Sequence, residues 1–476
     1  MEAAKQALIR LGINGTNPFL QIGVPIFFVI MMIIFFTMST WYTNQYGLYR
    51  SNADSINQLL SLRRQKLSES IDPLRANSTS VSNSLLAKSE PYSRISGNST
   101  ALVNWRPLSV RMAGYLGGVH SVRDGVFDMS KGIQSAIHLG ARLFTFDIDY
   151  MDNKPCEPRL IYRDDQGVMR SLHTGSILDG MAALNTYAFR ENYDPVIIVL
   201  YLRRLPAGRV QKTNYFKELA IAMDPLTTYH LGSTEQGNFH NCRSEKHLFT
   251  SQITNFQKKF IVLCNYNTNI LAPTLNPKNN LDFWINARVY LDPSGKSETL
   301  GTVTTLVPSG QMPYVKVAAT QQLLQLPDAN VADYLSSTSS VFTIALSSMS
   351  ESFTAEQVGI LLNSLGIQSV PLDILRLACT KDHENTRTPR QTVSSTGLYK
   401  PNPTLDMLSN ATNSADPLSF WTYAGWSRKR IETEGFEDMK PVPVAANIPG
   451  FIIPAPVVPK KPPPSTNSNG GLVNIS

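Results

Sequence analysis

Two aspartates, Asp147 and Asp149, stand in the run Gly140-Ala-Arg-Leu-Phe-Thr-Phe-Asp-Ile-Asp-Tyr150, where apolar and polar side chains alternate. Alternation with a period of two is the pattern of a strand. Phe144, Phe146, Ile148 and Tyr150 then share one face, and Leu143, Thr145, Asp147 and Asp149 the other. Two carboxylates on one face can hold a hard cation such as calcium or magnesium, whose ligands are oxygens. They can equally be a structural pair satisfied by hydrogen bonds or by a neighbouring arginine. His120 precedes the run, while Arg163 and His173 follow it. Histidine suits proton transfer near neutral pH; arginine offers a fork of donors that matches phosphate but does not exchange protons there.

The elements that must position these residues follow from the flanking sequence. Ser130 begins a helix through His138, with Ile133, Ala136 and Ile137 on one face and Gly140 at its end, as serine caps and terminal glycines do. The acidic strand, residues 142–150, comes next. A helix from Ile177 to Phe189 leads to Pro195-Val-Ile-Ile-Val-Leu-Tyr-Leu202, the continuous apolar run that a parallel strand buried on both faces requires. Further strands are expected at 259–266, 283–290 and 341–347. A helix at 354–364, capped by Gly366, precedes a closing strand from Ile367. Strands alternating with helices over residues 103–385 read as successive βα units. The expected fold is α/β, a TIM-type (β/α)8 barrel with irregularities, preceded by one transmembrane helix. Barrel active sites lie at the C-terminal ends of the strands, where the two aspartates fall.

The chain has 476 residues, room for one barrel of about 250 residues with extensions. Its formal charge of +7 comes without a basic run interleaved with aromatics, so no nucleic-acid partner is expected. Residues 1–18 form an N-terminal segment. Residues 19–38 carry no charge and have the length that a helix needs to cross a bilayer, about 20 residues; a single-pass membrane location is expected. A stalk and Ser/Asn-rich spacer fill 39–102, with helical spacing at Ile56, Leu59, Leu60 and Leu67. Residues 386–440 form a C-terminal extension in which Trp421 and Trp426 are expected to pack on the body. Residues 441–476 are Pro-rich; this tail can dock on a protein partner's aromatic groove or serve as a plain spacer. Cys156, Cys242, Cys264 and Cys379 lack paired spacing, and Cys264, inside an apolar run, reads as core.

The stretch from His120 to Leu202 resembles the phosphatidylinositol-specific phospholipase C family and its superfamily of barrel phosphodiesterases. The resemblance rests on Gly-Gly-Val-His120-Ser after the first strand, Phe-Asp147-Ile-Asp149-Tyr, Glu157-Pro-Arg-Leu-Ile-Tyr162 and Tyr193-Asp-Pro-Val-Ile-Ile-Val-Leu-Tyr201. It implies phosphodiester hydrolysis at a membrane surface. In that scheme His120 is the base, Asp147 and Asp149 hold calcium or magnesium, Arg163 contacts phosphate and His173 donates the proton to the leaving oxygen. Where the family has an arginine in the cation's place, Arg142, Arg163 and Arg203 are the candidates. Four positions depart from the pattern: Arg163 stands where a second histidine is expected, Asp147 where a glutamate is expected, Tyr201 where a carboxylate is expected, and Ser121 where an asparagine is expected.

Two functions follow as expectations. One is a membrane-anchored phosphodiesterase acting on an inositol lipid or glycerophosphodiester, with a divalent cation or with none. The other is a barrel without turnover, kept as a membrane-attached structural or interaction protein; similar barrel proteins are encoded by large DNA viruses.

Overall fold

The computed structural model describes residues 6, 18–77, 101–117, 125–190, 192–231, 245–271, 274–309, 313–349, 353–373, 375, 377–379, 399–401 and 425–429. His120, Ser121, His240, Cys242, Trp421 and the Pro-rich tail lie outside them.

Helix α1, Pro18–Asn77, is continuous. Its segment Ile26–Gln45 is long and apolar enough to cross a membrane and is exposed along its length. Beyond it, Ile56, Leu59, Leu60, Arg63 and Leu67 recur at helical spacing and turn toward the body, where Leu59 and Leu67 join the outer core layer. What reads in sequence as a stalk is therefore a docked helix over its residues 56–67.

Strands β1 (Trp105–Pro107) and β2 (Ser109–Arg111) come next, followed by the antiparallel pair β3 (Tyr115–Leu116) and β4 (Val126–Phe127). Helix α2 (Met129–His138) starts two residues earlier than a cap at Ser130 implies. Its cap is Asp128, whose carboxylate accepts from Lys131 N at 3.0 Å, rather than Ser130. A carboxylate at this position also favours the positive end of the helix dipole. Gly140, at φ 94°, then turns the chain into β5 (Leu143–Met151); a side chain there would be strained.

Strand β6 (Lys154–Leu160) returns antiparallel to β5, with an irregularity between Asp149 and Met151. Helix α3 (Ile177–Tyr187) leads to β7 (Val196–Leu202), and α4 (Arg209–Ala222) precedes β8 (Phe260–Cys264). The expected strand at 283–290 is a short helix, Leu281–Trp284, followed by β9 (Ala287–Arg288) and β10 (Tyr290–Leu291). Then come β11 (Val315–Ala319), α5 (Asp328–Ser340) and β12 (Phe342–Leu346). Helix α6 (Ala355–Gly359) opens with a capping box between Thr354 and Gln357, runs into a π turn at Ile360–Ser364, and stops near Gly366 at φ 64°. A hairpin of β13 (Leu377–Cys379) and β14 (Tyr399–Pro401) follows, and β15 (Trp426–Arg428) returns to pair with β1.

The parallel pairings run β2–β5–β7–β8–β9 along one path and β10–β11–β12 along another, with Val289 between β9 and β10. Parallel bridges join Ile344 to Ser369 and Val110 to Leu372. The sheet has two apolar faces. Phe144, Phe146, Ile148, Ile198 and Leu200 pack beneath Ile133, Met181 and Tyr215 of the helices. Leu143, Ile197, Val199, Tyr201, Val317 and Ile344 form a second, inner cluster. All seven residues of β7 are buried, as a central parallel strand requires, and each fully buried aliphatic side chain contributes about 1.5–3 kcal/mol.

Candidate functional site

The C-terminal ends of the parallel strands bring one polar group after another to the inner face. Arg111 ends β2, Asp147 and Asp149 lie near the end of β5, and Arg203 and Arg204 follow β7. Asn265 follows β8 and Ser347 follows β12. The expected polarity of the acidic strand holds, since Leu143 is in the inner cluster and Phe144, Phe146 and Ile148 are beneath the helices.

Arg111 grips Asp147 with both prongs of its fork. Nε donates to Oδ2 and Nη2 to Oδ1, each at 2.7 Å, while Nη1 donates to Ser347 O at 2.6 Å. The two side chains are 0% and 1% exposed. Burial pushes the Arg111 guanidinium down, but the charge and hydrogen bonds of Asp147, with further pull from Asp373 and Tyr201, hold it above its ordinary value. Arg203 Nη1 stands 3.9 Å from Asp147 Oδ1, and Arg203 Nη2 donates to Thr299 O at 2.7 Å.

Asp149 is held from two sides. Arg163 Nε donates to Oδ2 and Arg204 Nε to Oδ1, both at 2.7 Å, and Tyr150 N donates to Oδ1 at 2.8 Å. Arg204 also donates to Asp152 Oδ1 at 3.0 Å and to Tyr150 O at 2.8 Å, with its guanidinium 4.5 Å from the Tyr150 ring centre. Burial lowers the Arg204 value, but the bonds to Asp149 and Asp152 outweigh it and the guanidinium is held up.

Tyr201 pairs in register with Asp147. Its hydroxyl donates to Leu300 O at 2.7 Å and accepts from Thr304 at 3.1 Å; burial pushes the phenol's pKa up. It thus supplies no anion where the family resemblance implies a carboxylate. Asn265 accepts from Leu202 N at 2.8 Å and donates to Leu202 O at 3.0 Å, locking the end of β7.

The structure brings together three of the five residues singled out in the sequence: Asp149 and Arg163 touch, and Asp147 is two residues along the same face. His173 is not joined to them. Its Nε2 lies 3.2 Å from both N and O of Phe127, and its ring meets the Phe127 ring edge-on. Among the described residues no hydrogen bond or ion pair links His173 to Asp147, Asp149 or Arg163. His120 lies in the segment between β3 and β4 outside the described residues. Arg142 precedes Leu143 at the opposite end of β5, where Nη1 donates to Ala188 O at 2.8 Å and burial lowers its pKa to about 10. It cannot stand in for a cation at the mouth.

Sequence reasoning missed Arg111. The first strand ends at Arg111, well before Gly-Gly-Val-His120. A charged residue closing the short run Leu108-Ser-Val-Arg was the available signal.

Among the described residues, this donor set falls short of a divalent-cation site. Calcium takes six to eight oxygens, of which carboxylates usually supply several. Here every carboxylate oxygen of Asp147 and Asp149 already accepts from a guanidinium. Among the described residues, no group of three or more His, Cys, Asp or Glu side chains could hold a metal ion. Asp147 and Asp149 each lie within ion-pair distance of two guanidiniums, Arg111 and Arg203 for the first and Arg163 and Arg204 for the second, and Arg204 also meets Asp152.

Phosphoinositide-specific phospholipases C are among the solved structures to which this chain is similar. It aligns with PLC21 of L. pealei at 14% identity and a TM-score of 0.41, covering 71% of this chain and 39% of that one. PLC21 of S. officinalis gives 13%, 0.40, 74% and 40% in the same order. This chain spans about two fifths of the length of either. A calcium-dependent phosphoinositol-specific phospholipase C of a Pseudomonas species gives 10% identity and a TM-score of 0.33, covering 59% of this chain and 92% of that one. No protein-family model and no curated protein matches the chain.

Proposed function

We propose that this protein is a membrane-anchored, phospholipase C-like barrel without phosphodiester turnover, serving as a structural or interaction module. The parallel pairings, with Val289 joining β9 to β10 and residues 369–372 bridging β12 to β2, support an eight-stranded closure. The exposed apolar segment Ile26–Gln45 supports a single-pass anchor.

The observation that carries the reading is the Arg111–Asp147 pair. A carboxylate gripped bidentately and fully buried is committed to neutralising its partner. Releasing it for a cation would leave Arg111 charged and unpaired, at a cost of about 3–5 kcal/mol. Asp149 is committed in the same way to Arg163 and Arg204. Pairing both carboxylates with guanidiniums weakens the pull of the mouth on a cation. Neither Arg163 nor Arg111 can exchange protons near neutral pH, and His173, the proton donor that the resemblance implies, bonds to Phe127 instead.

The test is turnover of phosphatidylinositol in vesicles and of a glycerophosphodiester by the full chain in nanodiscs, with calcium and with a chelator. No turnover is expected in either condition. Turnover abolished by His120→Ala would instead make this a phosphodiesterase with His120 as its base.

A further inference from the structure

The docked half of α1 touches the body at the hairpin that borders the mouth. Arg64 forms an ion pair with Asp128, whose other oxygen caps α2 through Lys131 N. Leu59, Arg63 and Leu67 are buried along the same helix face. Asp128 N donates to Gly114 O at 2.7 Å, and α2 is pressed against the preceding segment so closely that a Cβ on Gly132 would stand 2.0 Å from Ala113 O. Just upstream, Met112 adopts φ 52° with its N donating to Thr145 O at 3.0 Å, and the residue before it is Arg111. A left-handed non-glycine residue persists only where its surroundings fix it.

We propose that α1 is a rigid strut: its docked face fixes the β3–β4 hairpin and the Arg111 end of β2, so the mouth is held in one arrangement by the helix that anchors the chain. This goes beyond the absence of turnover and rests on α1 being the anchor. The helix is unbroken between Gln45 and Leu59, a strut of about 20 Å at the α-helical rise. Gly47 lies within the helix in this stretch, and the face buried against the body begins at Leu59; a flexible spacer in its place would let the body swing.

Hydrogen exchange on the full chain in phosphatidylcholine nanodiscs tests this and needs neither ligand nor turnover, so its outcome is independent of whether the mouth hydrolyses anything. In the wild type, amides 59–67 should exchange as slowly as those of α2. In the Leu59→Asp, Leu67→Asp double variant, exchange should quicken about tenfold or more in α1 and also at 113–116 and 125–128, while β7 and β8 keep their protection. Fast exchange at 59–67 in the wild type would overturn the proposal, as would a double variant in which only α1 loosens. Should the double variant also lose protection in β7 and β8, Arg64→Gln decides: Arg64 is 52% exposed, so its removal cuts the Asp128 link without opening the core. Loosening at 125–128 supports the strut; unchanged exchange there contradicts it.

Discussion

At the scale of single residues, the mouth is decided by which groups claim the two aspartates. A buried carboxylate with two guanidinium bonds has part of its lone-pair capacity taken and its charge neutralised, which weakens it as a cation ligand, and its loss strands a charge that arginine cannot shed. Asp147→Asn should therefore cost the fold about 3–5 kcal/mol by chemical denaturation. Replacing both partners with apolar residues, Arg111→Met with Asp147→Leu, should recover most of that, because two desolvated charges leave together. A double variant as unstable as the single one would mean that the pair does something besides neutralise itself. Cys264 gives a second residue-scale expectation. Burial pushes its thiol up to about 12, so at neutral pH it stays protonated and shielded. Iodoacetamide followed by mass mapping should label half-buried Cys156 in the folded protein and leave Cys264 unmodified until unfolding; early modification of Cys264 would contradict its place beneath the helices.

At the scale of elements, β15 packs at the N-terminal end of the parallel strands, opposite the mouth. Trp426 is 1% exposed, sits in the inner cluster with Leu143 and Trp105, and donates from its indole to Pro195 O at 3.1 Å. Trp426→Ala should destabilise the body by about 3–5 kcal/mol, measured as a lowered urea midpoint; an unchanged midpoint would make β15 an ornament. Elements of this kind separate what periodicity can show from what it cannot. The strands at 196–202, 260–264 and 342–346 were readable because both faces of each are buried, so apolar runs mark them directly, and the strand at 143–151 was readable from its alternation. Helix α4 was missed: its polar surface, Arg209-Val-Gln-Lys-Thr-Asn, dilutes the buried stripe of Tyr215, Phe216, Leu219 and Ala220. The split of 283–290 into a helical turn and two short strands was hidden because one apolar run serves all three. Strand β2 carries too few residues for any period, so the inward placement of Arg111 came only from its neighbours in space. That gap shaped the site: the aspartates were visible in sequence as a pair on one face, with an arginine partner among the open alternatives, yet the particular arginines lie up to 55 residues away along the chain.

At the scale of the whole molecule, an apolar helix, a docked strut and a parallel α/β body with a neutralised mouth form a consistent set. A network in which arginines hold both aspartates should leave stability independent of divalent ions. The most direct test is the thermal unfolding midpoint of the full chain in nanodiscs with millimolar calcium against a chelator. A ligand present at 100 times its dissociation constant stabilises the folded state by about 2.7 kcal/mol, and for a body of this size each kcal/mol is worth about 2–4 °C. The account predicts the same midpoint in both conditions. A rise of about 5 °C or more with calcium, abolished by Asp147→Asn, would contradict it.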